Sequence, residues 1–378
     1  MTFWQIIRRE ARKCRKDMRR CVFIFGAALA YLIIFSVLFA PDIIRAVPTV
    51  ICDEDQSPLS RRLLQRFENN ERFSVVAYVS SQEEMQSFLR EKKARIALQV
   101  PRDFSRAINN GGYSTLLCIV NASNIMPVSA VTTEAENIAE NFSNEVALQR
   151  TELVTSQTEQ RIINRVSPLH TELRVLHNPL QSFTLFYLIG LLVAALQQGI
   201  FFATAASVFQ EKRTPAVAPF WKLTAGKIVW YVTLGMFSYI MILFLLSTFL
   251  HFRLKANLLS VLVAGIIYLF STASLGLCFA SFFPTEMRCV QFSVMYPLAG
   301  FILSGFTWPL AAMPPAVQAL AACLPQTWFA NLLRELFLAG YSPLYKKATL
   351  AMLCIGFLCF GINCAWHRRK KGTLYIKT

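Results

Sequence analysis

What most constrains this chain is a set of uninterrupted apolar runs about 20 residues long, the length at which a helix rising 1.5 Å per residue crosses roughly 30 Å of hydrocarbon. Residues 21–40 form the first, residues 183–208 open a second block, and further runs lie at about 228–250, 257–282, 289–308 and 348–366. With 54% of its 378 residues apolar, 16% charged and a mean hydropathy of +0.43, the sequence cannot bury its hydrophobic side chains in one water-soluble core. Lipid must be part of its solvent. The spacing predicts a multi-spanning α-helical membrane protein of about six transmembrane helices, with an α/β external domain inserted after the first.

A net charge of +16 would, on a soluble domain, suggest nucleic acid. Its placement argues otherwise. Arg8, Arg9, Arg12, Lys13, Arg15, Lys16, Arg19 and Arg20 precede the first run, and Arg368, Arg369, Lys370 and Lys371 follow the last. Cationic flanks stay on the cytoplasmic side and meet lipid headgroups, so both termini are expected in the cytoplasm and no nucleic-acid partner is expected. Residues 1–20 read as an amphipathic interface helix, with Phe3, Ile7, Ala11, Cys14 and Met18 at helical spacing and cations over the rest. The first span is too long for a cleavable signal and ends at Pro41 and Asp42.

Residues 41–182 read as the external domain. A strand at Thr49–Cys52 is followed by Ser57 and Pro58, an N-cap with proline at the first helical position, and by the stripe Leu59, Leu63, Phe67. A strand at Phe73–Val79 precedes a capping box, Ser81 with Glu84, and a helix carrying Met85, Phe88 and Leu89. Strands are expected at Arg95–Val100 and Ser114–Val120, with a short helix opened by Pro101 and Phe104 between them. A long helix from Pro127 to about Val166, apolar at Val131, Ala135, Ile138, Phe142 and Val146, has the length to stand as a stalk. Residues 183–366 carry the remaining spans. Within them, residues 309–340 are too apolar for a wet loop and too broken by Pro309, Pro314, Pro315 and Pro325 for one helix, so short re-entrant helices at the exit side are expected. Residues 367–378 form a basic cytoplasmic tail.

The stretch Val50, Asp53, Asp55, Ser57, Pro58, Leu59, Ser60, the segment Val100, Pro101, Asp103, Phe104, the pair Asn178–Pro179, the run Leu303, Ser304, Gly305, Phe306, Trp308, Pro309, Met313, Pro314, and Arg334, Phe337, Leu338, Gly340 follow one another in an order that resembles the ABC-2 type transporter permeases, in the exporter branch with a large external domain after the first helix. That resemblance implies a permease subunit working with a second permease copy or homologue and with cytoplasmic ABC ATPase subunits. It implies a bacterial inner-membrane location, a periplasmic placement of the inserted domain, and outward movement of a hydrophobic or amphipathic substrate. A periplasmic adaptor would be a further partner of the external domain. The sequence contains no G-x-x-x-x-G-K-[ST] loop, so ATP and Mg are expected on the partner ATPase and no cofactor on this chain. After the second span, Glu211, Lys212, Arg213, Thr214 and Pro215 run to Gly226 and Lys227 over a shorter stretch than is usual in the family.

On that resemblance Trp4, Ile7, Glu211, Lys212 and Arg213 are the candidates for coupling to an ATPase, against plain interfacial anchoring. Gln197, Gln198 and Gln291 stand out as polar residues inside spans, facing a translocation path or bonding between helices. Phe301, Phe306 and Trp308 are gate candidates, against the common role of aromatics in interfacial belts. Arg334 beside Glu335 should find a partner or water, and Asp53, Glu54 and Asp55 read as a turn rather than a cation site. Cys52 and Cys118, both ending predicted strands, are the pair an oxidising compartment could join. Neither a zinc nor a redox motif is present. His170, His177, His251 and His367 lie beside no nucleophile, which leaves enzyme chemistry no foothold. An ATP-independent scaffold or receptor with an external ligand-binding domain is the alternative function. An ion-coupled carrier would bury charges at mid-membrane, which these runs lack.

Overall fold

The structure, a computed structural model, describes residues 1–38, 45–110, 112–120, 125–154, 183–213, 218–249 and 254–375. The predicted terminator at Pro41 and Asp42, residues 155–166 of the long helix, and Asn178–Pro179 lie outside the described residues. Two units are separated by contact: Ile43–Val175, and Met1–Asp42 together with Leu176–Thr378.

In the first of these, strands β1 (Val47–Asp53), β2 (Phe73–Val79), β3 (Ile96–Val100) and β4 (Leu117–Val120) form one sheet in the order β2-β1-β3-β4. β1 is parallel to β2 and β3, and β4 runs antiparallel to β3. Parallel neighbours need crossovers, and the sequence supplies them as helices. Asp53 ends β1 by accepting from the Asp55 and Gln56 amides at 3.2 and 3.0 Å. Ser57 and Ser60 then exchange backbone-to-side-chain bonds of 3.0 Å each way, and Pro58 starts α3 (Pro58–Glu68) without needing a donor. Ser81 Oγ likewise accepts from the Glu84 amide at the start of α4 (Gln82–Arg90), but Glu84 reaches back to the Ser80 amide instead of that of Ser81, so the predicted reciprocal box is only half formed. We expect Ser57→Ala to cost about 1 kcal/mol, read as a roughly fivefold faster hydrogen exchange of the α3 amides in the full chain.

After α5 (Phe104–Asn109) and β4, the long helix is α6, described over Ile125–Val154. Its five predicted apolar positions, Val131, Ala135, Ile138, Phe142 and Val146, are all buried with Ile51, Leu98 and Phe67. From Val131 to Val146 α6 is therefore a layer of the core of this unit. Charges hold it to α3: Arg62 meets Glu145 at 2.8 Å, Arg66 pairs with the same carboxylate, and the Arg66 guanidinium lies 5.5 Å from the Phe142 ring centre.

The possible Cys52–Cys118 pair is not bonded, and both thiols are free. β3 stands between their strands, so two spacings of about 4.8 Å put the backbones about 10 Å apart, past the roughly 7 Å limit for a disulfide. They also serve opposite faces, Cys52 packing with Val50 and Met85, Cys118 with the α6 side. Burial, reinforced by Glu54, pushes the Cys52 thiol up, and burial pushes that of Cys118 up to about 11, so both stay protonated.

The other unit is helical: α1 (Phe3–Lys16), α2 (Arg19–Leu38), α7 (Phe183–Arg213), α8 (Phe220–Phe249), α9 (Leu258–Phe282), α10 (Glu286–Leu303), α11 (Pro315–Ala322), α12 (Pro325–Leu338) and α13 (Tyr345–Tyr375). Five of these, α2, α7, α8, α9 and α13, are long and apolar enough to cross a membrane. The predicted fifth of six spans, α10, is not among them; it has 18 residues with Pro297 inside, whose carbonyl accepts from Gln326 Nε2 at 3.1 Å. α7 is the hub. From Leu188 to Phe209 it is buried almost all round, whereas α2, α8 and α13 bury one stripe each, as a helix at the centre of a bundle must.

Between α10 and α13 the chain breaks into a short 3-10 turn (Leu310–Ala312), α11 and α12. Prolines start both helices, and the segment is bracketed by Gly305 and Gly340 with φ of +92° and +85°, a conformation costly to any residue with a Cβ. α12 is anchored by Phe329, which stacks on Tyr268 of α9 at 4.2 Å between ring centres and 9° between planes.

Candidate functional site

The most polar place in the helical unit lies where α1 meets the ends of α2, α7 and α8. Arg20, in the first turn of α2, is 1% exposed, and Glu10 of α1 is fully buried. Buried charges persist only when paired and hydrogen-bonded. Glu10 Oε2 accepts from Ser207 Oγ at 3.0 Å and lies 3.8 Å from Arg20 Nη1, while its other oxygen is 3.7 Å from Lys13 Nζ. Arg20 donates to Tyr231 Oη at 3.1 Å, to the Ala206 carbonyl at 3.3 Å and to Gln210.

One turn further along α7, Glu211 collects three cations: Arg9 Nη1 at 2.9 Å, Lys13 Nζ at 3.1 Å and Lys227 Nζ at 3.4 Å. Lys227, on α8, also donates to the Ser207 carbonyl at 3.2 Å. The network thus has two buried carboxylates and four cations drawn from four helices, with Asp17 3.5 Å from Arg20 Nε at its edge. Gly226 lets α1 reach α8, since a Cβ there would stand 2.8 Å from Ile6 Cγ2. Ile6 buries itself with Ala218 and Leu223 at this contact.

Of the predicted coupling residues, the structure brings Glu211 into the network and places Ile7 half-buried beside Gly226. Trp4 is 70% exposed, Lys212 is exposed with its ammonium 3.9 Å from the Phe209 ring centre, and the Arg213 side chain lies outside the described residues. The fully buried stripe of α1 is Ile6, Glu10 and Cys14; of the predicted positions Cys14 is buried, Phe3, Ile7 and Ala11 are half-buried, and Met18, beyond the helix, is 61% exposed. Sequence reasoning missed Glu10, Arg20, Ser207, Lys227 and Tyr231. One signal was available: Glu10 is the lone acid of α1 and sits at i and i+4 from Ile6 and Cys14.

The path and gate candidates fall in different places. Gln197 is buried, its Oε1 and the Val193 carbonyl lying 3.2 and 3.0 Å from the Tyr268 hydroxyl that can donate to either. Gln198 is half-buried and Gln291 is exposed on α10. Phe301 and Phe306 are buried, 5.6 Å apart between ring centres, filling the notch left by Gly190, whereas Trp308 is 59% exposed. Phe306 and Phe186 flank Arg334, whose guanidinium carbon lies 4.8 and 4.9 Å from their ring centres. Arg334 donates to Asn331, and Glu335 instead accepts from Ser342, so the two adjacent charges do not pair with each other. In the α/β unit Asp53, Glu54 and Asp55 are spent on local bonds, to Ser60, Gln99 and the Ser105 amide.

Among the described residues no group of three His, Cys, Asp or Glu is arranged to hold a metal. Buried ion pairs cannot be pulled apart without stranding a charge, so separating α1, α2, α7 and α8 at this end is costly.

Comparison with known proteins agrees with this architecture. Over 348 residues the chain is 22% identical to the "Probable multidrug ABC transporter permease YbhR" of Escherichia coli strain K12, covering 90% of each chain. It is 25% identical over 151 residues, 40% of each chain, to the "Probable multidrug ABC transporter permease YbhS" of the same strain. It is 21% identical over 348 residues to the "Linearmycin resistance permease protein LnrN" of Bacillus subtilis strain 168, covering 86% of this chain and 88% of the relative. The sequence model of the ABC-2 family transporter proteins matches residues 19–365, and the chain, a multi-pass membrane protein, belongs to that family.

Proposed function

We propose that this chain is the membrane-spanning permease subunit of an ATP-driven exporter that moves a hydrophobic or amphipathic substrate outward. ATP and Mg are bound by separate cytoplasmic ABC ATPase subunits, and a second permease copy or homologue completes the pathway. The observation that carries this reading is the buried network of Glu10, Arg20, Glu211 and Lys227, which ties an amphipathic helix to three spans at one end. A push on α1 or on the α7–α8 connection is thereby delivered to the bundle. Family membership and the printed names of the relatives support both the dependence on ATP and the class of cargo. With the arginine-rich end in the cytoplasm of a bacterial inner membrane, the α/β unit lies outside, where it receives cargo or docks a periplasmic adaptor.

The test is purification of the chain from its native membrane in mild detergent, followed by mass spectrometry and an ATPase assay. A P-loop ATPase at near-equal stoichiometry is expected. Glu211→Gln should keep the partner bound but leave Arg9, Lys13 and Lys227 without their shared carboxylate; a loss of about 1.4 kcal/mol in the coupled step lowers transport about tenfold. Transport by Glu211→Gln at the wild-type rate would remove the network from the mechanism. Recovery of no ATPase in several detergents would turn the reading to a scaffold or receptor.

A further inference from the structure

The broken segment between α10 and α13 lines a half-open cavity of ≈ 330 Å³, close to the lower end of the range for small-molecule sites, roughly 300–1,000 Å³. Its walls are mainly apolar, among them Leu310, Ala321, Leu332 and Leu344. One face of α12 is different, for Thr327, Asn331 and Arg334 follow one another at i, i+4 and i+7 along the lining, followed by Glu335, whose carboxylate accepts from Ser342.

Two of these have bonding capacity left over. Thr327 is 5% exposed, and its buried Oγ1 has no hydrogen-bond partner. A buried hydroxyl without a partner is costly. Arg334 carries five N–H donors, and the bond to Asn331 Oδ1 at 2.8 Å is the one hydrogen bond it makes among the described residues; the adjacent Glu335 acts on it through space, its carboxylate being bonded to Ser342. Phe186 and Phe306 hold its guanidinium by their faces, which orients the cation but leaves its edge donors unmatched. A cation inside a membrane protein requires an anion or water.

We propose that this cavity binds a single-chain amphiphile with an anionic head, its chain along Leu310, Ala321, Leu332 and Leu344 and its head at Thr327 and Arg334. The head group is a carboxylate or phosphate, which accepts from both residues. This goes beyond the exporter reading and stands without it, since it requires neither an ATPase nor transport. A resident membrane lipid and a passing cargo share this chemistry.

The experiment labels the purified full chain with a photoreactive dodecanoate and with the matching dodecanol, and maps the cross-links by mass spectrometry. The acid should label residues 310–348, and unlabelled dodecanoate should compete with it far better than dodecanol. Arg334→Met should lower labelling by the acid about tenfold or more and leave labelling by the alcohol unchanged, which also shows that the cavity is intact. Thr327→Val, of nearly the same shape, should lower it by a smaller factor and serves if Arg334→Met fails to fold. Solvent extraction of the unlabelled protein separates the two sources. An anionic lipid retained near one per chain assigns a resident lipid, and none retained with rapid exchange of the probe assigns a cargo subsite. Equal labelling by acid and alcohol, cross-links confined to other segments, or indifference to both substitutions would overturn the proposal.

Discussion

We expect Arg20→Met to destabilise the helical unit by roughly 3–5 kcal/mol, and Glu10→Leu in the same molecule to restore most of that loss. Removing the guanidinium leaves the Glu10 carboxylate fully buried, with Ser207 as its only hydrogen bond among the described residues. Lys13, 3.7 Å from the far oxygen, compensates in part and places the effect toward the lower end. It also strips Tyr231, Gln210 and the Ala206 carbonyl of their shared donor. Replacing both charges by apolar groups of similar volume removes the stranded carboxylate, which is why buried pairs are dispensable together and not singly. The measurement is the half-life of the detergent-purified protein on heating, with trypsin cleavage in α1 as a local readout. If the double variant is no more stable than Arg20→Met alone, the Glu10–Arg20 pairing at 3.8 Å is not what holds α1 to the bundle.

How far these features could be read from the sequence depends on how local their causes are. Phe73–Val79 and the Ser57–Pro58 start of α3 were legible because strand composition and capping are settled within a few residues. The five buried positions of α6 were legible from helical spacing, but its partner was not, since nothing local says that a long helix lies on a sheet. Cys52 and Cys118 failed for a related reason. Strand order puts β3 between them, and order is decided by crossovers, not by strand ends. α10 was counted as a span because its second half is apolar; Glu286, Arg288 and Gln291 in its first two turns make it too polar to stand with the five long apolar helices. At the site, Glu211 was found through its place in a connecting stretch. Arg20 was read as part of a cationic flank and Glu10 passed unremarked, because periodicity treats every charge as outward, and the fold pairs them inside. The same rule missed Ile6 and Glu10 on the fully buried line of α1 and left Phe3, Ile7 and Ala11 at its half-buried flank.

Gly199→Leu should abolish assembly of α2 onto α7, whereas Gly361→Leu on α13 should be tolerated. A Cβ at Gly199 would stand 2.8 Å from the Phe23 carbonyl oxygen and 2.9 Å from Ile24 Cα. Both are backbone atoms, so no change of rotamer relieves the contact and the helices themselves must separate. That separation is opposed on either side, because Phe23 packs its ring 4.6 Å from that of Phe202 and the Ile24 carbonyl accepts from Ser238 of α8 at 3.0 Å. Even Gly199→Ala should cost about 1–3 kcal/mol, the usual range for overpacking, and close helix contact at small residues is how spans associate where lipid supplies no hydrophobic drive between them. At Gly361 nothing lies within 4 Å of the added carbon, and replacing glycine inside a helix contributes up to about 1 kcal/mol of propensity. Yield of monodisperse protein in detergent, compared across the three variants, reads this directly. Equal yields for Gly199→Leu and Gly361→Leu would mean that α2 does not pack on α7 through this glycine, and that the polar contacts of Glu10, Arg20 and Glu211 hold the two helices together without it.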